Sequence, residues 1–119
     1  MIYRDKDMEC TTKENHLGGT GKIEFKTLVP ADKLKGESRM FNLLTFEPGA
    51  GLGEHDHTDN YEIYYILSGK AIAVDNGEEV ELGAGDIVYT ADGATHSIRN
   101  AGDEPMVMLA TIVFENKAR

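Results

Sequence analysis

The chain has 119 residues, 40% of them apolar and 28% charged, proportions that suit one compact domain and exclude a disordered polypeptide. Its 21 acidic and 12 basic residues leave a net charge of −9, which excludes nucleic acid and anionic membrane surfaces as partners, since both require clustered Lys and Arg. No apolar run approaches the roughly 20 residues that span a bilayer, Met1 to Asp7 contains no apolar signal core, and Cys10 is the single cysteine, so a reducing cytoplasm is the expected location.

Thirteen glycines against three prolines point to many tight turns, because glycine adopts the positive φ angles that turns need. Residues 1–21 are polar and irregular and are expected to form an arm or an edge strand. Within them, Leu17-Gly18-Gly19-Thr20-Gly21 lacks the G-x-G-x-x-G spacing of a phosphate loop. Lys22 to Leu28 alternates as a strand does, with Ile23 and Phe25 on one face and Glu24 and Lys26 on the other. Ala31 to Gly36, after Pro30, is expected to hold one short helical turn. Arg39 to Phe46 reads as a strand stopped by Glu47-Pro48-Gly49.

Beyond Pro48 one rhythm repeats, a short apolar run followed by a turn. Glu62 to Ser68 is a strand closed by Gly69, and Lys70 to Val74 and Val80 to Leu82 flank Asp75-Asn76-Gly77, a strong hairpin signal. Asp86 to Thr90, Thr95 to Asn100 and Met106 to Phe114 follow as strands, and Glu115 to Arg119 as a charged tail. No stretch sustains a helical period, so the fold class is all-β, a sandwich or barrel.

Four histidines are few, and their placement is informative. In an extended segment His55 and His57 face the same side, while Glu62 has the wrong parity unless Thr58-Asp59-Asn60 supplies a turn or bulge that resets the phase. His96 stands far along the chain, after the Asp92-Gly93 turn and at the start of another strand. Three imidazoles and one carboxylate form a mixed N/O set that suits one divalent transition metal (Mn, Fe, Co, Ni, Cu or Zn) better than Ca or Mg. Four protein ligands leave an octahedral ion about two positions for water or substrate.

The spacing of these residues resembles a known pattern. Gly49, five residues, His55, one residue, His57, four residues, Glu62, six residues, Gly69 is similar to the first motif of the cupin superfamily. Gly85, five residues, Ala91, one residue, Gly93, two residues, His96, three residues, Asn100 is similar to the second, with Ala91 where the family usually has Pro. The short spacer from Lys70 to Ala84 resembles that of small bacterial single-domain cupins. The resemblance implies a jelly-roll barrel, or double-stranded β-helix, over residues 39–114, preceded by an arm and edge strands over 1–38 and followed by the tail over 115–119. It also implies one metal held inside the barrel by His55, His57, Glu62 and His96, and a homodimer, to which exposed apolar strand surface and an N-terminal arm would be suited.

Tyr64 and Ile66 share the parity of Glu62, and Ile98 that of His96, so all three should face the interior. Tyr61, Tyr65, Met106 and Met108 are expected to pack, some of them between subunits. Two residues stand out as catalytic candidates: Tyr64, whose hydroxyl can orient a ligand, and His16, an exposed histidine that reaches the barrel mouth if the arm folds across it. The leading functional expectation is a small metalloenzyme of dioxygenase, isomerase, decarboxylase or lyase type, acting on an oxygen-bearing small molecule. The competing one is a binding or sensing module whose metal anchors a ligand without turnover.

Overall fold

Among the described residues, alternation of apolar and polar side chains organises ten strands into two antiparallel sheets. They are β1 (Cys10–Glu14), β2 (Lys22–Thr27), β3 (Ser38–Phe46), β4 (Gly51–Asp56), β5 (Asn60–Ser68), β6 (Lys70–Asp75), β7 (Glu78–Gly83), β8 (Ile87–Thr90), β9 (Thr95–Asn100) and β10 (Met106–Phe114). The structure, a computed structural model, describes residues 1–115, so the expected tail lies outside the described residues except for Glu115. One sheet has six strands in the order β1-β2-β3-β10-β5-β8 and the other four in the order β4-β9-β6-β7. Strands β3 to β10 thus interleave as a double-stranded β-helix, and β1 and β2 extend its larger sheet.

The interior is filled from both sheets by alternate residues. In β10, Met106, Met108, Ala110 and Ile112 are buried while their neighbours are half-covered. Ile23 of β2, Leu44 and Phe46 of β3, Ile66 of β5 and Ile98 of β9 complete the centre. Truncating one of these large side chains, Leu44→Ala for instance, is expected to cost about 2–5 kcal/mol. Tyr65 has parity opposite to that of Glu62 and Tyr64, and it lies exposed on the outer face.

Local chemistry sets the turns. Asn76 (φ 49°) and Gly77 (φ 89°) both take the left-handed conformation, which matches the expected hairpin between β6 and β7. Ala31–Lys33 forms a single 3-10 turn after Pro30. The N-terminal segment resolves into an edge strand, with β1 paired to β2 from Cys10↔Lys26 to Glu14↔Lys22. Among the described residues no helix is long and apolar enough to cross a membrane.

Candidate metal centre

The fold brings His55, His57, Glu62 and His96 together at one end of the interior. His55 on β4 sits directly opposite His96 on β9, so their side chains emerge side by side. His57 follows the end of β4, and Asp59 then takes a left-handed conformation (φ 62°) before β5 begins. That bend resets the alternation, and Glu62 returns to the same interior as the histidines.

The four ligand-type atoms lie within 4.8 Å of one another. Each imidazole is oriented by a second residue through its other nitrogen. His55 Nδ1 donates to the Gly53 carbonyl (2.8 Å), His57 Nδ1 donates to Asn60 Oδ1 (2.6 Å), and His96 Nδ1 meets Thr90 Oγ1 at 2.7 Å. Protons held on Nδ1 turn the Nε2 lone pairs towards a common point. His96 Nε2 is 2.8 Å from that of His55 and 3.1 Å from that of His57. Glu62 Oε1 lies 2.9 Å from His57 Nε2, 3.0 Å from His96 Nε2 and 3.6 Å from His55 Nε2. Despite this crowding, buried Glu62 Oε1 has no hydrogen-bond partner. Converging lone pairs around an orphaned carboxylate oxygen are what a cation satisfies, and three nitrogens with one oxygen fit a divalent transition metal.

Electrostatics follow the same geometry. Burial pushes the Glu62 carboxyl up, but the three imidazoles outweigh it and hold the group far below the usual carboxylate range. The Glu62 carboxylate raises His57, whereas burial lowers His96. Tyr64 is fully interior, stacked on the His96 ring (4.7 Å between centroids, 10° between planes) with its hydroxyl 3.2 Å from His96 Nε2. Burial pushes that hydroxyl well above its ordinary range, which keeps it a neutral phenol able to donate.

A cavity of about 530 Å³ opens over the four residues. Its wall includes Lys13, His16, Leu17 and Phe25 from the N-terminal segment together with Arg39 and Asn42 of β3. His16 packs edge-on against Phe25 (5.4 Å), and Lys13 Nζ stands 4.7 Å over the same ring. The arm reaches this mouth because Thr20 and Gly51 exchange two backbone hydrogen bonds and because Gly19 and Gly53 permit contact: a Cβ on Gly53 would meet Leu17 O at 1.9 Å. Partial burial, then Lys13, lowers His16, so its imidazole is neutral at pH 7.

Every candidate residue therefore has a definite place. His55, His57, Glu62 and His96 form the cluster, Tyr64 touches it, and His16 stands apart at the cavity mouth. The sequence did not mark Asn60, Thr90, Lys13 or Arg39 as residues of the site. Asn60, three residues beyond His57, left a faint local signal. The other three come near the site only through pairing between distant strands.

The comparisons agree with this architecture. The model of the cupin domain matches residues 42–112. The oxalate-binding protein of Thermotoga maritima is 34% identical over 114 residues, 96% of this chain and 94% of that protein. A crystal structure of a predicted oxalate decarboxylase from Thermotoga maritima superposes with a TM-score of 0.91 at 34% identity, covering 96% of this chain and 99% of that one. The oxalate decarboxylase OxdC of Bacillus subtilis is 39% identical over 72 residues, 56% of this chain but 19% of that longer protein. With its motifs, its double-stranded β-helix and its His3Glu cluster that can hold a metal ion, the chain belongs to the cupin family.

Proposed function

We propose that this cupin holds one divalent transition metal through His55, His57, Glu62 and His96, and that the metal captures a small carboxylate-bearing molecule in the cavity above it. The observation that carries the reading is the buried Glu62 Oε1, without a hydrogen-bond partner amid three imidazoles that are each already committed through Nδ1 to another residue. When bound, such a metal supplies Lewis acidity towards ligand oxygens. The chain's own residues do the rest. Arg39 and Lys13 place two positive charges on the wall of a cavity in a protein of net charge −9, and Arg39 makes no ion pair among the described residues. The Asp56 and Glu62 carboxylates line the same cavity, so with a divalent metal bound the wall is net positive and favours an anion there. The descriptions of the similar proteins, oxalate-binding and oxalate decarboxylase, support the same ligand class.

Tyr64 and His16 favour turnover as well as binding. The Tyr64 phenol donates a hydrogen bond to a ligand oxygen beside His96, and the neutral His16 imidazole is able to accept a proton at the mouth. Elemental analysis of protein purified without a tag or chelator tests the metal: about one equivalent, absent from His55→Ala, is expected. Calorimetry with oxalate then reports saturable binding to the loaded protein and none to the stripped one. Oxygen uptake and carbon dioxide release on the same sample separate a metalloenzyme from a binding module. Absence of metal even after reconstitution sinks the whole reading.

A further inference from the structure

Strict alternation would put Arg39 on the outer face of β3, because Met40, Asn42 and Leu44 take the cavity side. The ladder with β10 changes that. Ile112 faces Met40 and Val113 faces Ser38, so Arg39 is one residue too many and has no partner on β10. Such a bulge re-aims a side chain, and here Arg39 joins Met40 on the cavity wall. Hydroxyls brace the slip in the ladder. Ser38 Oγ donates to Ile112 O (2.6 Å) and lies 2.9 Å from Met40 O, which also accepts from Thr111 Oγ1 (3.0 Å).

The sheet also sets how far Arg39 stands from the cluster. Met40, Ile112 and Glu62 form one lateral row across β3, β10 and β5, so the backbones at Met40 and Glu62 are roughly 10 Å apart. Much of the remaining wall is apolar, with Phe25, Leu44, Leu52 and Ile112. A second cation, Lys13 Nζ, lies 4.7 Å over the Phe25 ring. Neither Arg39 nor Lys13 makes an ion pair among the described residues. Asp56, the wall's carboxylate outside the cluster, belongs to β4 of the other sheet. Oxalate is far smaller than this space, since about 530 Å³ falls within the range of roughly 300–1,000 Å³ that encloses ligands of many more atoms.

Resting on the metal-capture reading above, we infer that the bulge aims Arg39, with Lys13 beside the same cavity, to form a second anion subsite for an acid longer than oxalate. One end of that acid, a carboxylate with a neighbouring oxygen, meets the metal. A short apolar body lies against the wall, and a second anionic group, carboxylate or phosphate, meets Arg39. An unpaired guanidinium is a fork for either group. An arginine that served only to face water would need no bulge, because regular alternation would already have placed it outside.

Calorimetry of the metal-loaded full chain tests this with acids that chelate alike and differ at the far end. The pairs are α-ketoglutarate against α-ketovalerate for a carboxylate, and 3-phosphoglycerate against glycerate for a phosphate. At least one dianion should bind roughly 10-fold or more tightly than its partner, and more tightly than oxalate. In Arg39→Gln that ratio should fall to near one while the metal content is unchanged. Ser38→Ala should lower the ratio part of the way, and should change it no further when combined with Arg39→Gln. A general loss of stability does not move a ratio taken between two ligands on one protein. Pairs bound equally, or a preference that survives Arg39→Gln, overturn the inference, and a ratio untouched by Ser38→Ala overturns the part given to the bulge. If oxalate still binds in those cases, the metal-capture reading stands; if no acid binds the loaded protein, oxalate included, both fall.

Discussion

Each imidazole of the cluster carries two nitrogens with different tasks. The outward Nδ1 is tied to Gly53, Asn60 or Thr90, and this fixes which nitrogen faces the centre. Thr90→Val tests this division of labour, because it keeps the shape of a buried side chain and removes only the oxygen 2.7 Å from His96 Nδ1. Metal affinity should fall roughly 10- to 100-fold while His96 remains in place. Competition against a chelator of known affinity measures it, and an unchanged constant would show that Thr90 plays no part. At the mouth, Arg39→Gln should weaken oxalate binding several-fold and flatten its salt dependence without altering metal content. The four clustered residues were legible in the sequence because their types and spacings repeat a motif confined to two short stretches. Asn60 and Thr90 were not, since either residue is as common in turns and strands that support nothing.

At the scale of elements, β5 shows how much one strand can do by alternation. Its inward residues furnish Glu62 and Tyr64 to the site, and its outward residues Tyr65 and Leu67 lie open on the other face. Most strands were readable because their period of two is local. The docking of the 15–21 loop against Gly51 and Gly53 was not. Their use depends on a chain segment more than thirty residues away: a Cβ on Gly19 would meet Gly51 O at 2.0 Å and Gly53 N at 2.7 Å. Gly19 has extended backbone (φ −81°, ψ −154°), so alanine there is opposed by contact alone and not by its own dihedral angles. Gly19→Ala should therefore cost about 1–3 kcal/mol in a thermal or urea melt, weaken ligand binding as His16 moves away, and leave metal content unchanged. Gly83→Ala, with nothing within 4 Å of the added carbon, serves as a neutral comparison. Equal melts for the two variants would refute the docked loop.

For the molecule as a whole, the acidic surface and the buried cluster respond to pH in different ways, and the cluster's response is predictable in sign. Glu62 is held far below the usual carboxylate range, so its charge persists throughout the titration of the imidazoles, and its contribution to stability is lost only as pH falls through that depressed value. His57 is raised by Glu62: in the metal-free chain its proton stabilises the fold below the ordinary imidazole value of about 6.5 and ceases to do so as pH rises through the raised value. His96 is lowered by burial, so it contributes stability above the ordinary imidazole value and loses it as pH falls through its own depressed one. The two histidines thus offset each other in the metal-free protein, whose melting temperature should change little between pH 8 and about 6. Metal binding removes that balance, because it requires every Nε2 unprotonated. His57 is then the first competitor as acid is added, and the stabilisation conferred by metal should shrink steadily below about pH 7 while the metal-free curve stays nearly flat. Parallel melts of stripped and Mn(II)-loaded protein across this range report the difference directly. A metal-dependent increment that holds constant down to pH 5 and falls only in the carboxylate range would mean that imidazoles do not hold the ion.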